Sequence, residues 1–106
     1  MNAVSKQVGE LIQVELESAN KKFPLFASNH EAIAVAIEEY TEAAEELEKC
    51  LENFGICFKQ IRLNDALLTR TAFAGVRTHA ERLAVEAIQL AAMAQKALDS
   101  ANKRGE

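Results

Sequence analysis

Glu86 and Gln89 lie three residues apart in the run AVEAIQLAAMA, Ala84 to Ala94, and are its only polar members. On a helix, residues three apart project from one face. Their neighbours on that face, Val85, Leu90, Met93 and Ala97, are apolar. A carboxylate placed there is costly to desolvate unless it is protonated, ion-paired or bound to a cation. A second acidic stretch, Glu38-Glu39-Tyr40-Thr41-Glu42, carries its own pair spaced by three, Glu39 and Glu42. Two helices that each offer such a pair to a common interior describe a cation held in a helical bundle. Donors of this type suit a hard cation, Mg²⁺ or Mn²⁺.

The elements that must position these groups read as helices. The chain of 106 residues is 49% hydrophobic, leans on alanine, and has one proline, four glycines and no tryptophan. That length makes one domain spanning residues 1–106. The composition is that of an all-α protein, and the expected fold is an antiparallel helical bundle of about four helices. Alanine-rich helices in so short a chain bury limited area, so dimerisation or a higher homo-oligomer is expected to complete the bundle. A net charge of −4 argues against nucleic acid as a partner, which needs a basic face. No run reaches the ~18 apolar residues of a membrane span, and no signal-peptide core is evident at the start, so a cytoplasmic location is expected.

Residues 3 to 21 hold a helical stripe, with Lys21 and Lys22 suited to its C-terminus and Pro24 blocking continuation. Phe23, Leu25 and Phe26 read as anchors for the turn. Ser28 and Glu31 form a capping box for a second helix that runs to about Asn53, with Gly55 as its stop. Its apolar stripe centres on Tyr40, with Ile33, Ala36, Ile37, Ala44, Leu47 and Leu51. Glu31, Glu38, Glu42 and Glu45 point away from that stripe, while Glu39 and Glu46 sit on its border. Taken alone, this is also what a solvated acidic face looks like. Residues 56 to 63 read as a connecting loop or an extended piece. Asn64 or Asp65 caps the next helix, and Gly75 followed by the Thr78–Glu81 capping box places a break near 75 to 78. The last helix then runs to about Asn102.

Cys50 and Cys57 have no zinc spacing, and His30 and His79 do not complete one. They read as reduced thiols used as small apolar residues. Charge is unevenly spread: eight glutamates and one lysine lie between Glu31 and Glu52, whereas Lys59, Arg62, Arg70, Arg77 and Arg82 face only Asp65 and Glu81 further on. A metal-bound polyphosphate would suit that pattern, and so would plain attraction between two surfaces. His30, beside a helix start, can contact a base or phosphate, or bond locally. There is no P-loop.

The order Phe26-x-Ser28-x-His30-Glu31, then Glu38-Glu39-x-x-Glu42, then Glu86-x-x-Gln89-x-Ala91-Ala92-Met93-Ala94 resembles the phage-type, short MazG-like proteins of the all-α nucleoside triphosphate pyrophosphohydrolase superfamily. The resemblance extends from about Val8 to Leu98. It implies a helical bundle that dimerises, and hydrolysis of a nucleoside triphosphate between its α and β phosphates. It further implies Mg²⁺ ligands at Glu39, Glu42 and Glu86, and a ligand or water-orienting base at Glu38. Gln89 stands where that family carries an aspartate. Lys59, Arg62, Arg70, Arg77 and His30 are the groups available to neutralise phosphate. Two other readings stay open: a catalytically degenerate protein that binds nucleotide or metal, and a purely structural dimeric bundle in which Glu86 and Gln89 fix register.

Overall fold

The computed structural model describes residues 2–106, which form α1 (Ser5–Lys22), α2 (Asn29–Arg62) and α3 (Ala66–Lys103). There is no strand among the described residues, so the all-α expectation holds, with three helices where about four were expected. Local signals behave as the sequence suggests at two starts. The Glu31 N–H donates to Ser28 Oγ at 3.1 Å, and the Leu68 N–H donates to Asp65 Oδ1 at 3.0 Å. Each bond satisfies a first-turn amide that the helix leaves without an internal acceptor. Asn64 takes the left-handed conformation, φ 55°, in the short turn between α2 and α3, a role asparagine tolerates well.

The other local signals do not act as stops. α2 passes through Gly55 to Arg62, so residues 56 to 62 are helix rather than loop or extended chain. α3 passes through both Gly75 and Thr78, so the expected break near 75 to 78 is absent. A glycine inside a helix costs only about 1 kcal/mol relative to alanine, less than burying one further turn returns. At Gly75 the missing side chain is also used: a Cβ there would lie 2.1 Å from Asn53 Oδ1.

The described residues divide into two compact units, one of residues 2–40 with 86–106 and one of residues 41–85. The first is built from α1, the start of α2 and the end of α3. Leu16, Phe26, Ala32, Ala92 and Met93 are buried together, with Ile12, Ala19, Val35 and Ala97 packed against them. Phe26 is thus an anchor as expected, whereas Phe23 is exposed.

The second unit is an antiparallel hairpin. Cys50 Sγ lies 3.8 Å from the Val76 carbonyl oxygen, and Glu46 meets His79. The buried positions of α2, Ala32, Ala43, Cys50 and Cys57, fall one residue from the expected stripe, and Ile33, Ile37, Tyr40, Leu47 and Leu51 are exposed. The stripe of bulky side chains was therefore misassigned; small residues carry the packing. Both cysteines are free and buried, in keeping with their reading as small apolar groups.

A His79 ring nitrogen, Nδ1, lies 2.7 Å from Glu46 Oε2, and both side chains are partly buried. That hydrogen bond holds the Glu46 carboxyl below its ordinary value of 4.5; burial opposes it, and Lys49, His79 and Arg82 add attraction. A carboxylate whose folded value is depressed contributes stability that is complete above its unfolded value and is lost as pH falls through the folded one. We expect the native chain to lose its advantage over His79→Ala as pH falls below 4.5, the ordinary value of the Glu46 carboxyl. Urea midpoints of both proteins check this; a gap constant with pH would remove the pair as its source.

Candidate functional site

Glu39 and Glu42 project from one face of α2 because they are three residues apart on an unbroken helix, and Glu86 comes from α3. Each offers a carboxylate oxygen, and those of Glu39 and Glu86, both in the first unit, lie within 4.8 Å of one another. Glu39 and Glu86 are half-buried and Glu42 is exposed. One oxygen of Glu39 and one of Glu86, Oε2 in both, is shut off from solvent. Like charges at that spacing repel, the more so where water is excluded. A divalent cation would convert the cost into attraction, and carboxylate oxygens are the donors that magnesium or manganese takes. The residues therefore fit such an ion.

Glu39 also lines an open cleft of about 500 Å³ in the first unit, within the size range of small-molecule sites. Glu38, exposed on α2, stands on its wall beside Glu31 and Glu15. Phe26 and Met93 supply its apolar part, and Lys22 and Lys96 its cations. Lys96 is only 2% exposed, and its ammonium sits 5.0 Å from the centroid of the Phe26 ring. A cation over an aromatic face gains about 0.5–2 kcal/mol, which helps hold the ammonium at the cleft.

The Phe26 ring is itself pinned by its backbone. Its N–H donates to Ser100 Oγ at 2.9 Å, and the Ser100 hydroxyl donates to the Lys96 carbonyl at 2.7 Å. The Phe26 carbonyl accepts from Arg104 Nη1 at 2.7 Å, and Arg104 Nη2 donates to Asn29 Oδ1 at 3.0 Å. The turn before α2 is thereby tied to the end of α3, on the turns that carry Lys96. These ties fix one wall of the cleft against another.

The remaining residues singled out in the sequence take varied positions. Gln89 is half-buried, one turn after Glu86 on α3. His30 is exposed in the first turn of α2 and is not among the residues lining the cleft. Lys59, Arg62, Arg70 and Arg77 are exposed and belong to the hairpin unit, where Arg77 Nη1 pairs with Glu81 Oε2 at 3.2 Å. Lys96 was not anticipated. The signal was present: counting on from Glu86 and Met93 in steps of three and four reaches Lys96 and Ser100. A lone lysine in an alanine-rich helix otherwise reads as a solubilising group.

No family model, curated protein or solved structure matches this chain.

Proposed function

We propose that the chain is a magnesium-dependent nucleoside triphosphate pyrophosphohydrolase of the MazG-like kind, acting as a homodimer. The observation that carries the reading is the approach of Glu39 and Glu86, with oxygens within 4.8 Å, beside a cleft that holds a buried cation. The order of motifs along the sequence supports it independently.

In this reading Glu39, Glu42 and Glu86 hold the ion, with the Gln89 amide as a neutral neighbour. Bound magnesium supplies positive charge to the phosphates and makes water more acidic. Glu38, exposed on the cleft wall, accepts a proton from the attacking water. Lys96 places its ammonium against negative charge that grows on the phosphate oxygens, and its burial strengthens that attraction. Phe26 and Met93 give the nucleotide an apolar surface and exclude water from one side of the cleft. The products are a nucleoside monophosphate and pyrophosphate.

The test is pyrophosphate release from a panel of ribo- and deoxyribonucleoside triphosphates, with magnesium, with manganese and with chelator. Turnover that needs the metal supports the reading and ranks the bases. A folded protein that releases no pyrophosphate from any of them overturns it.

Gln89 favours a second reading, a binding protein without turnover, because a neutral amide gives magnesium less than a carboxylate does. We expect Gln89→Asp to tighten magnesium binding about tenfold or more, since magnesium favours anionic oxygen. Calorimetric titration of the native and variant chains with MgCl₂ checks this. Equal affinity would separate Gln89 from the ion.

A further inference from the structure

Within the hairpin unit, Ala44, Leu47, Leu51, Phe54, Phe58 and Ile61 follow one another on α2 at intervals of three and four residues, and all six are exposed. That alternation is the heptad spacing of a helix–helix seam. α2 already presents a different seam to α3, one position earlier, through Ala43, Glu46, Cys50 and Cys57. The helix therefore carries two seams, and α3 covers one. In the uncovered seam Leu51 is 71% and Phe58 67% exposed.

The area and the charges point to one occupant. The five bulky side chains present roughly 600 Å² of apolar surface, judged from the 150–250 Å² that a large side chain buries. A specific interface takes about 800 Å² from each partner, so the stripe supplies most of one side of such an interface. Along the same stretch of α2 the charges are segregated. Glu42, Glu45, Glu48 and Glu52 precede Lys59 and Arg62, with Lys49 the one cation among the acids. Such a helix is complementary to itself run backwards. A parallel copy would set glutamate beside glutamate, at a cost.

We propose that this seam binds a second copy of the chain, α2 packed antiparallel on α2, with the two-fold axis passing between Leu51 and Phe54. Leu51 then packs near the partner's Phe54, and Glu45 and Glu48 face the partner's Lys59 and Arg62. The contact is isologous, so it closes at two subunits and consumes the exposed stripe on both. The inference rests on the homodimer stated above and is independent of the chemistry.

Sedimentation of the full chain, without nucleotide or metal, tests it. We expect a dimer at micromolar concentration, and a monomer of unchanged helicity for the double variant Leu51→Glu with Phe54→Glu. Two charge reversals test the direction: Glu45→Lys with Glu48→Lys, and Lys59→Glu with Arg62→Glu. Each should raise the dimer dissociation constant about tenfold at low salt, and all four together should return it to within about threefold of the native value. A native chain that stays monomeric, a dimer indifferent to Leu51 and Phe54, or four reversals that do not recover the affinity would each overturn the proposal. Absence of pyrophosphatase activity would leave it intact.

Discussion

Glu86→Gln is expected to lower pyrophosphate release at least about 100-fold while leaving the fold in place. The substitution keeps the shape of the side chain and removes its charge. Glu86 sets a carboxylate oxygen within 4.8 Å of one of Glu39 and has its Oε2 shut from solvent. The amide keeps the volume of the side chain, so the melting temperature without metal should stay close to that of the native chain. With magnesium, the native chain should gain stability through binding, and the variant should gain little. Turnover and thermal melts on one preparation separate loss of charge from loss of fold. Native-like turnover by the variant would remove Glu86 from the mechanism.

The largest stability effect is expected at Phe26. Truncation to alanine removes a buried ring from the core of Leu16, Ala32, Ala92 and Met93, a change that costs about 3–5 kcal/mol. In a chain of this size each kcal/mol moves the melting temperature by roughly 4–8 °C, so Phe26→Ala should melt well over 10 °C lower, if it folds at all. Phe26→Leu restores much of the apolar volume but not the aromatic face under Lys96. Its remaining deficit, compared in native and Lys96→Met backgrounds, isolates the attraction between ring and ammonium, about 0.5–2 kcal/mol. Thermal and urea unfolding of the four proteins complete the cycle. A Phe26→Ala variant within about 1 kcal/mol of native would mean that the ring is not a keystone of this core.

The parts of this architecture legible in the sequence are those decided locally. Ser28 and Asp65 cap helices because their side chains reach amides three residues ahead. Glu39 and Glu86 could be singled out from the spacing on one helix and the apolar setting on the other. The packing face of α2 was not readable. Hydrophobic periodicity is dominated by bulky side chains, and here Leu47, Leu51 and Tyr40 are exposed while Ala43, Cys50 and Cys57 are buried. Two heptad stripes lie one residue apart on the same helix, and the brighter one faces outward. The uninterrupted α2 and α3 escaped for a related reason. Gly55 and Gly75 weaken a helix by a local amount, and contacts distant in sequence, such as Glu46 with His79, outweigh it.

The first compact unit is discontinuous, made of residues 2–40 and 86–106, and this has a consequence for how the molecule comes into being. Phe26 closes on Ser100 across a sequence separation of 74 residues. At a synthesis rate of 5–20 residues per second, Phe26 waits roughly 4–15 s for that partner to be made. The hairpin of residues 41–85 has all of its own partners earlier. Leu16 and Phe26 therefore wait for Ala92 and Met93, whereas the hairpin draws its partners from one continuous stretch of chain. The cleft, lined from Glu15 to Glu39 and again by Met93 and Lys96, needs both ends of the chain at once.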